Sequence, residues 1–102
     1  MANLRKDGNG STGIWTYANI TGQATTLVKG TPGILHSITF NKPTATCTVK
    51  IDDAITDTTP VIGTITVPAS PMPVTLTYDV EFTVGLTIVT GTASSDITVA
   101  FA

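Results

Sequence analysis

The segment V-T-L-T-Y-D-V-E-F, Val74 to Phe82, alternates between apolar and polar residues along its whole length. In extended backbone successive side chains point to opposite faces, so Val74, Leu76, Tyr78, Val80 and Phe82 fall on one side, with Thr75, Thr77, Asp79 and Glu81 on the other. A slip of one residue would bury two carboxylates, which sets the orientation of the strand. The same period of two recurs on either side of it. Cys47, Val49 and Ile51 alternate with Thr46, Thr48 and Lys50, and Ile97, Val99 and Phe101 alternate with Thr98 and Ala100. In V-I-G-T-I-T-V (61–67), Val61, Ile65 and Val67 share a face and Gly63 marks a bulge or a close backbone approach. G-I-L-H-S-I-T-F (33–40) places His36 beside Ile34, Ile38 and Phe40 on the side facing the core.

Weaker alternation in I-W-T-Y-A-N-I (14–20), A-T-T-L-V-K (24–29) and L-T-I-V-T (86–90) brings the count to about eight short strands, separated by turn signals such as Thr31-Pro32-Gly33 and the three-proline stretch P-A-S-P-M-P. No segment carries a 3.6-residue period. The expected fold is all-β, an antiparallel β-sandwich or barrel, and periodicity alone leaves jelly-roll and immunoglobulin-like topologies both open. Residues 1–13, which hold three glycines and no periodicity, read as a flexible N-terminal arm; residues 14–102 read as a single β-sandwich domain.

Composition narrows function. Charged residues are 12% of the chain, about half the usual share, while about a fifth of it is threonine, so the surface is clothed largely in hydroxyls. A protein this poor in charge self-associates or is covered by partners. Net charge is −2, and Arg5, Lys6, Lys29, Lys42 and Lys50 are scattered, which argues against nucleic acid. No apolar run is long enough to span a membrane as a helix, and the polar start lacks a signal-peptide core. The lone Cys47 provides no disulfide and reads as a small buried hydrophobe.

Few residues invite chemistry. One histidine cannot build a two- or three-histidine metal centre, and Ser37 beside it would face the other way, so His36 reads as a core-edge or interface residue. Asp79 and Glu81 stand about 7 Å apart on one strand face, a spacing compatible with glycoside cleavage, but alternating charges on a solvent face are ordinary. Asp52, Asp53 and Asp57 share a loop that could offer oxygens to calcium or simply cap turns, the reading preferred here. D-G-N-G-S-T (7–12) lacks the glycine and glutamate of an EF-hand loop. Trp15 and Tyr17 share a face and suit a core, a partner interface or a sugar platform. No cofactor, metal ligand or catalytic residue is expected, and the protein is expected not to be an enzyme.

The order T-P-G-I-L-H-S-I-T-F-N, a threonine-rich strand ending near aspartates, V-I-G-T-I-T-V-P, Y-D-V-E-F-T-V-G-L-T-I-V-T and I-T-V-A-F resembles small structural proteins of tailed bacteriophage virions, among them head decoration or cement proteins. The likeness covers about residues 21–102 and rests on two elements: Gly33, Leu35, His36, Ile38 and Asn41, then Tyr78, Asp79, Val80, Phe82, Gly85, Leu86 and Ile88. It implies a jelly-roll-type sandwich that binds the outer surface of the capsid and stabilises contacts between major capsid protein subunits, with self-association on the lattice. Arg5 and Lys6 in the arm, with Trp15 and Tyr17, are the expected partner contacts. The rival expectations are another virion position, such as neck, tail or fibre base, and a carbohydrate-binding module.

Overall fold

The computed structural model describes residues 15–102. They form eight strands and no helix: β1 (Thr16–Ile20), β2 (Ala24–Lys29), β3 (Gly33–Lys42), β4 (Thr48–Asp52), β5 (Val61–Thr66), β6 (Val74–Phe82), β7 (Leu86–Gly91) and β8 (Asp96–Phe101). Two four-stranded antiparallel sheets result, ordered β1-β8-β3-β6 and β2-β7-β4-β5. The pairing is nested: β1 bonds β8, β2 bonds β7, β3 bonds β6 and β4 bonds β5, with β3·β8 and β4·β7 completing each sheet.

The alternation of the sequence makes this a sandwich. Leu35, Ile38, Phe40, Phe82, Ile97 and Val99 from one sheet meet Val49, Ile51, Leu86 and Ile88 from the other in a single cluster sealed from solvent. Cys47 lies in the same cluster, a buried free thiol that packs as a small hydrophobe. Four positions read as inward differ: Ile34 and His36, turned by a bulge in β3, and Val61 and Val74. Val61 is exposed because the β4·β5 register shifts between Ile51 and Asp52, which turns Ile62 toward the core instead. Val74 is exposed at the free edge of β6, where no neighbouring strand covers it.

Antiparallel pairing sorts the loops into two groups. One end of the sandwich carries Trp15, the turns after β2, β4 and β6, and Ala102; the other carries the turns after β1, β3, β5 and β7. At the first end Gly33 is required by space, since a Cβ there would lie 2.1 Å from the Ala102 carbonyl oxygen. That carbonyl accepts the Ile34 N–H at 3.0 Å, and the Ala102 N–H returns a bond to Ile34 at 2.9 Å. At the other end the turns hold two threonines in the left-handed region, Thr46 (φ 66°) and Thr92 (φ 69°), which is costly for a β-branched residue.

Candidate functional site

The outer face of the β1-β8-β3-β6 sheet holds the most distinctive arrangement. Relative to β8, β3 carries one extra residue between Leu35 and Ser37; relative to β6 it carries one too few, so His36 stands opposite both Tyr78 and Asp79. This bulge reverses the facing of the strand. Leu35, not Ile34, points inward; Ile34 is 41% exposed, and His36 leaves the face shared by Ile38 and Phe40. His36 is therefore not on the core side, and Ser37, opposite Ala100, shares its outer face. Period-two reading fails here because the extra residue is set by the neighbouring strands, not by anything local.

Once turned outward, His36 Nδ1 is hydrogen-bonded to Asp79 Oδ1. The Trp15 indole lies flat on the imidazole, with centroids 4.3 Å apart and planes within 4°. Asp79 reaches its position with φ of 50°, an uncommon left-handed residue in mid-strand. A lone tryptophan, a lone histidine and a strained aspartate thus form one stack that ties the start of β1 to β3 and β6. Asp79 is engaged with His36 rather than paired with Glu81, and both carboxylates are exposed. Tyr17, two residues along β1, is 72% exposed opposite Ala100. Arg5 and Lys6, and the arm 1–13 with them, lie outside the described residues.

Toward the other end of the same face a polar ladder crosses three strands. Asn19 Nδ2 donates to Asp96 Oδ1 at 2.7 Å and to the Ile97 carbonyl at 2.9 Å. Asn41 Nδ2 donates to Asp96 Oδ1 at 3.1 Å and to Thr98 Oγ1 at 2.9 Å. These amides, Asn19 foremost, with Lys42 nearby, hold the Asp96 carboxyl below the usual carboxylate range.

The acidic loop resolves into two separate structures. The Asp53 carboxylate accepts the Val84 N–H at 2.8 Å, the Thr83 N–H at 3.0 Å and the Thr83 hydroxyl at 3.2 Å, clamping the β4–β5 loop to the β6–β7 turn. These bonds lower its pKa, those from Thr83 and Val84 most. Asp57 instead accepts Lys50 Nζ at 2.7 Å, a bond that is the main reason the Lys50 pKa is raised. The same ammonium lies 3.5 Å from Asp52 Oδ1, close enough for an ion pair but not for a hydrogen bond, so the fully buried Asp52 carboxylate has no hydrogen-bond donor among the described residues. Lys50 lies between Asp52 and Asp57 while Asp53 is bonded to Thr83 and Val84, so the three aspartates do not converge. Among the described residues no group of three or more histidine, cysteine or acidic side chains could hold a metal.

Apolar surface is distributed unevenly. Trp15, Leu27, Ile34, Ile55, Val61 and Val84 are exposed in or next to the turns at the end where Trp15 enters. At the opposite end a pocket of about 230 Å³ opens between the free edges of β5 and β6, lined by Phe40, Pro43, Ile65, Val67, Met72 and Leu76 among others. Met72, at its rim, is 76% exposed. The pocket contains no titratable side chain. No signal in the sequence pointed to it, since its walls come from two sheets and a proline loop.

Compared with protein-family models, with curated proteins and with solved structures, the chain matches none.

Proposed function

We propose that the protein is a non-enzymatic virion component, a capsid decoration protein that binds the outer surface of a bacteriophage head and bridges neighbouring major capsid protein subunits. The observation that carries this reading is the gathering of six large exposed apolar side chains at one end of a sandwich whose chain has only 12% charged residues. Single exposed apolar residues are normal, but a group of them at one end, with Ile55 and Val84 on turns tied together by Asp53, favours a docking surface. A cement protein needs rigid sheets and complementary area rather than a reactive cleft, and multivalent attachment would supply its affinity.

The topology favours a jelly roll over an immunoglobulin-like arrangement. Nested pairing of first strand with last, second with seventh, and so inward is the pattern expected when a long antiparallel ribbon is folded over itself, whereas an immunoglobulin sheet places sequence neighbours side by side.

The test is titration of the full chain onto expanded empty capsids of the cognate major capsid protein. Saturable binding with a raised capsid melting temperature is expected, and Ile55→Asp or Val84→Asp should weaken it while leaving the free protein folded. Absence of binding at every stage of capsid maturation would remove the proposal.

A further inference from the structure

We propose that the outer face of the β1-β8-β3-β6 sheet is a binding site for neutral oligosaccharide, an activity additional to capsid attachment and argued independently of it. Cross-strand partners show how the face is built. Its floor consists of Ser37, Thr39, Thr75, Thr77, Thr98 and Ala100, all small and uncharged, in the rows Ala100–Ser37–Thr77 and Thr98–Thr39–Thr75. The Thr39 and Thr75 hydroxyls bond each other at 2.9 Å, which fixes part of that floor.

Tyr17 pairs with Ala100 across β1 and β8, so its ring stands beside a methyl group and rises above the floor as a wall. Trp15 closes one end of the strip, its indole reaching across β8 to lie flat on His36. From Asp96 to the His36–Asp79 pair the strip runs about 15 Å at the rise of an antiparallel strand. The strip follows the strands, so a chain molecule could lie along it.

The free hydrogen-bonding atoms at the Asp96 end are mostly acceptors. Both amide groups turn their N–H donors inward, to Asp96, Thr98 and the Ile97 carbonyl. What remains is three acceptors, Asn19 Oδ1, Asn41 Oδ1 and Asp96 Oδ2, which no donor among the described residues reaches, with the Thr98 hydroxyl proton and the Lys42 ammonium as donors beside them. A ligand for this end must bring donors, and one for the Tyr17 wall must bring a flat apolar face. A pyranose ring has both, with C–H groups on its face and hydroxyls around its rim.

Charge selects against the other chain molecules. Among the described residues Asp79, Glu81 and Asp96 lie on this face with only Lys42 to offset them, so nucleic acids, uronates and sialylated glycans are repelled. The ladder had a simpler use, to pin strand register, but register does not need two exposed aromatic residues beside an uncharged floor.

The experiment is an NMR titration of the full-length ¹⁵N-labelled protein with cellotetraose, mannotetraose and galactotetraose, with a hyaluronan tetrasaccharide as the anionic comparison. At least one neutral probe should shift the amides of Tyr17, Asn19, Thr39, Asn41 and Thr98 while leaving those of the β2-β7-β4-β5 sheet in place. Tyr17→Ala should weaken binding roughly tenfold, the size of one aromatic contact, whereas Tyr17→Phe keeps it, and neither should move the melting temperature. No shift with any neutral probe, a preference for hyaluronan, or unchanged binding by Tyr17→Ala overturns the proposal. Capsid binding by the same Tyr17→Ala protein separates the two readings: if it is lost while sugars have no effect, this face is a protein contact and no glycan site.

Discussion

Replacing Asp53 with asparagine tests whether one carboxylate holds the apolar end of the sandwich together. The wild-type side chain receives two backbone N–H groups and a hydroxyl from Thr83 and Val84, and the Gly85 N–H approaches at 3.4 Å. A hydrogen bond to a charged group contributes about 1.5–3 kcal/mol, and partial exposure here calls for the low end. Asparagine keeps one acceptor oxygen and turns an NH₂ group toward backbone donors, so the expected loss is about 2 kcal/mol. For a domain of this size that is a fall in melting temperature of roughly 8–16 °C. Because the amides depress the native pKa, the contribution of the carboxylate is complete above about pH 4, near its unfolded value, and disappears as pH falls through the lower native value. Calorimetry at neutral pH and in strongly acid buffer should therefore show a wide gap between wild type and Asp53→Asn that closes in acid. A gap of equal size at both pH values would refute the charge-assisted clamp, and no gap at all would mean the loop is held by packing alone.

Other expectations concern backbone and buried charge. Gly33→Ala drives a Cβ into the Ala102 carbonyl and so disrupts the paired Ile34–Ala102 bonds, costing at least about 2 kcal/mol in chemical denaturation; a neutral effect would show that the chain end yields freely. Thr92→Gly relieves left-handed strain at a turn and should stabilise by up to about 1 kcal/mol, and a lowered denaturation midpoint would count against strain at that residue. Lys50→Met removes the cation nearest the buried Asp52 and should lower the melting temperature, whereas Lys50→Met combined with Asp52→Leu should recover most of it. If the double variant is no more stable than the single one, Asp52 is stabilised by something other than Lys50.

Strands were legible wherever a hydrophobic period of two coincided with unambiguous polar partners. Cys47, Val49 and Ile51, and Ile97, Val99 and Phe101, are buried on the faces their spacing assigns. Leu76, Tyr78 and Val80 are half-buried and Phe82 fully so, while their threonine and acidic neighbours stay outside. What spacing does not carry is the place where two strands fall out of step. His36 was read with the core because the bulge that turns it outward depends on how β3 meets both β6 and β8. Val61 failed for the same reason at the β4·β5 shift. Asp52, Asp53 and Asp57 were visible as a group, but their separate uses depend on Thr83, Val84 and Lys50, two of which lie some thirty residues away. Trp15 and Tyr17 were singled out as aromatic candidates, yet the Asn19–Asp96–Asn41 ladder beside them was not, since nothing local links a residue near the start of the domain to one near its end.

The nested strand order has a consequence for how the chain comes into being. Only β4 and β5 join neighbours in the sequence; every other pairing waits for a later segment, and Thr16 must find Phe101. Closing so large a loop before any contact repays it makes for folding in milliseconds to seconds rather than microseconds, with the β4–β5 hairpin the natural seed from which the others zip outward. During synthesis the seventh and eighth strands emerge after the other six, and until then β1 and β2 wait unpaired and β3 keeps one rim open. A ribosome that stalls before β7 and β8 have emerged therefore leaves two sheets that each lack a central member.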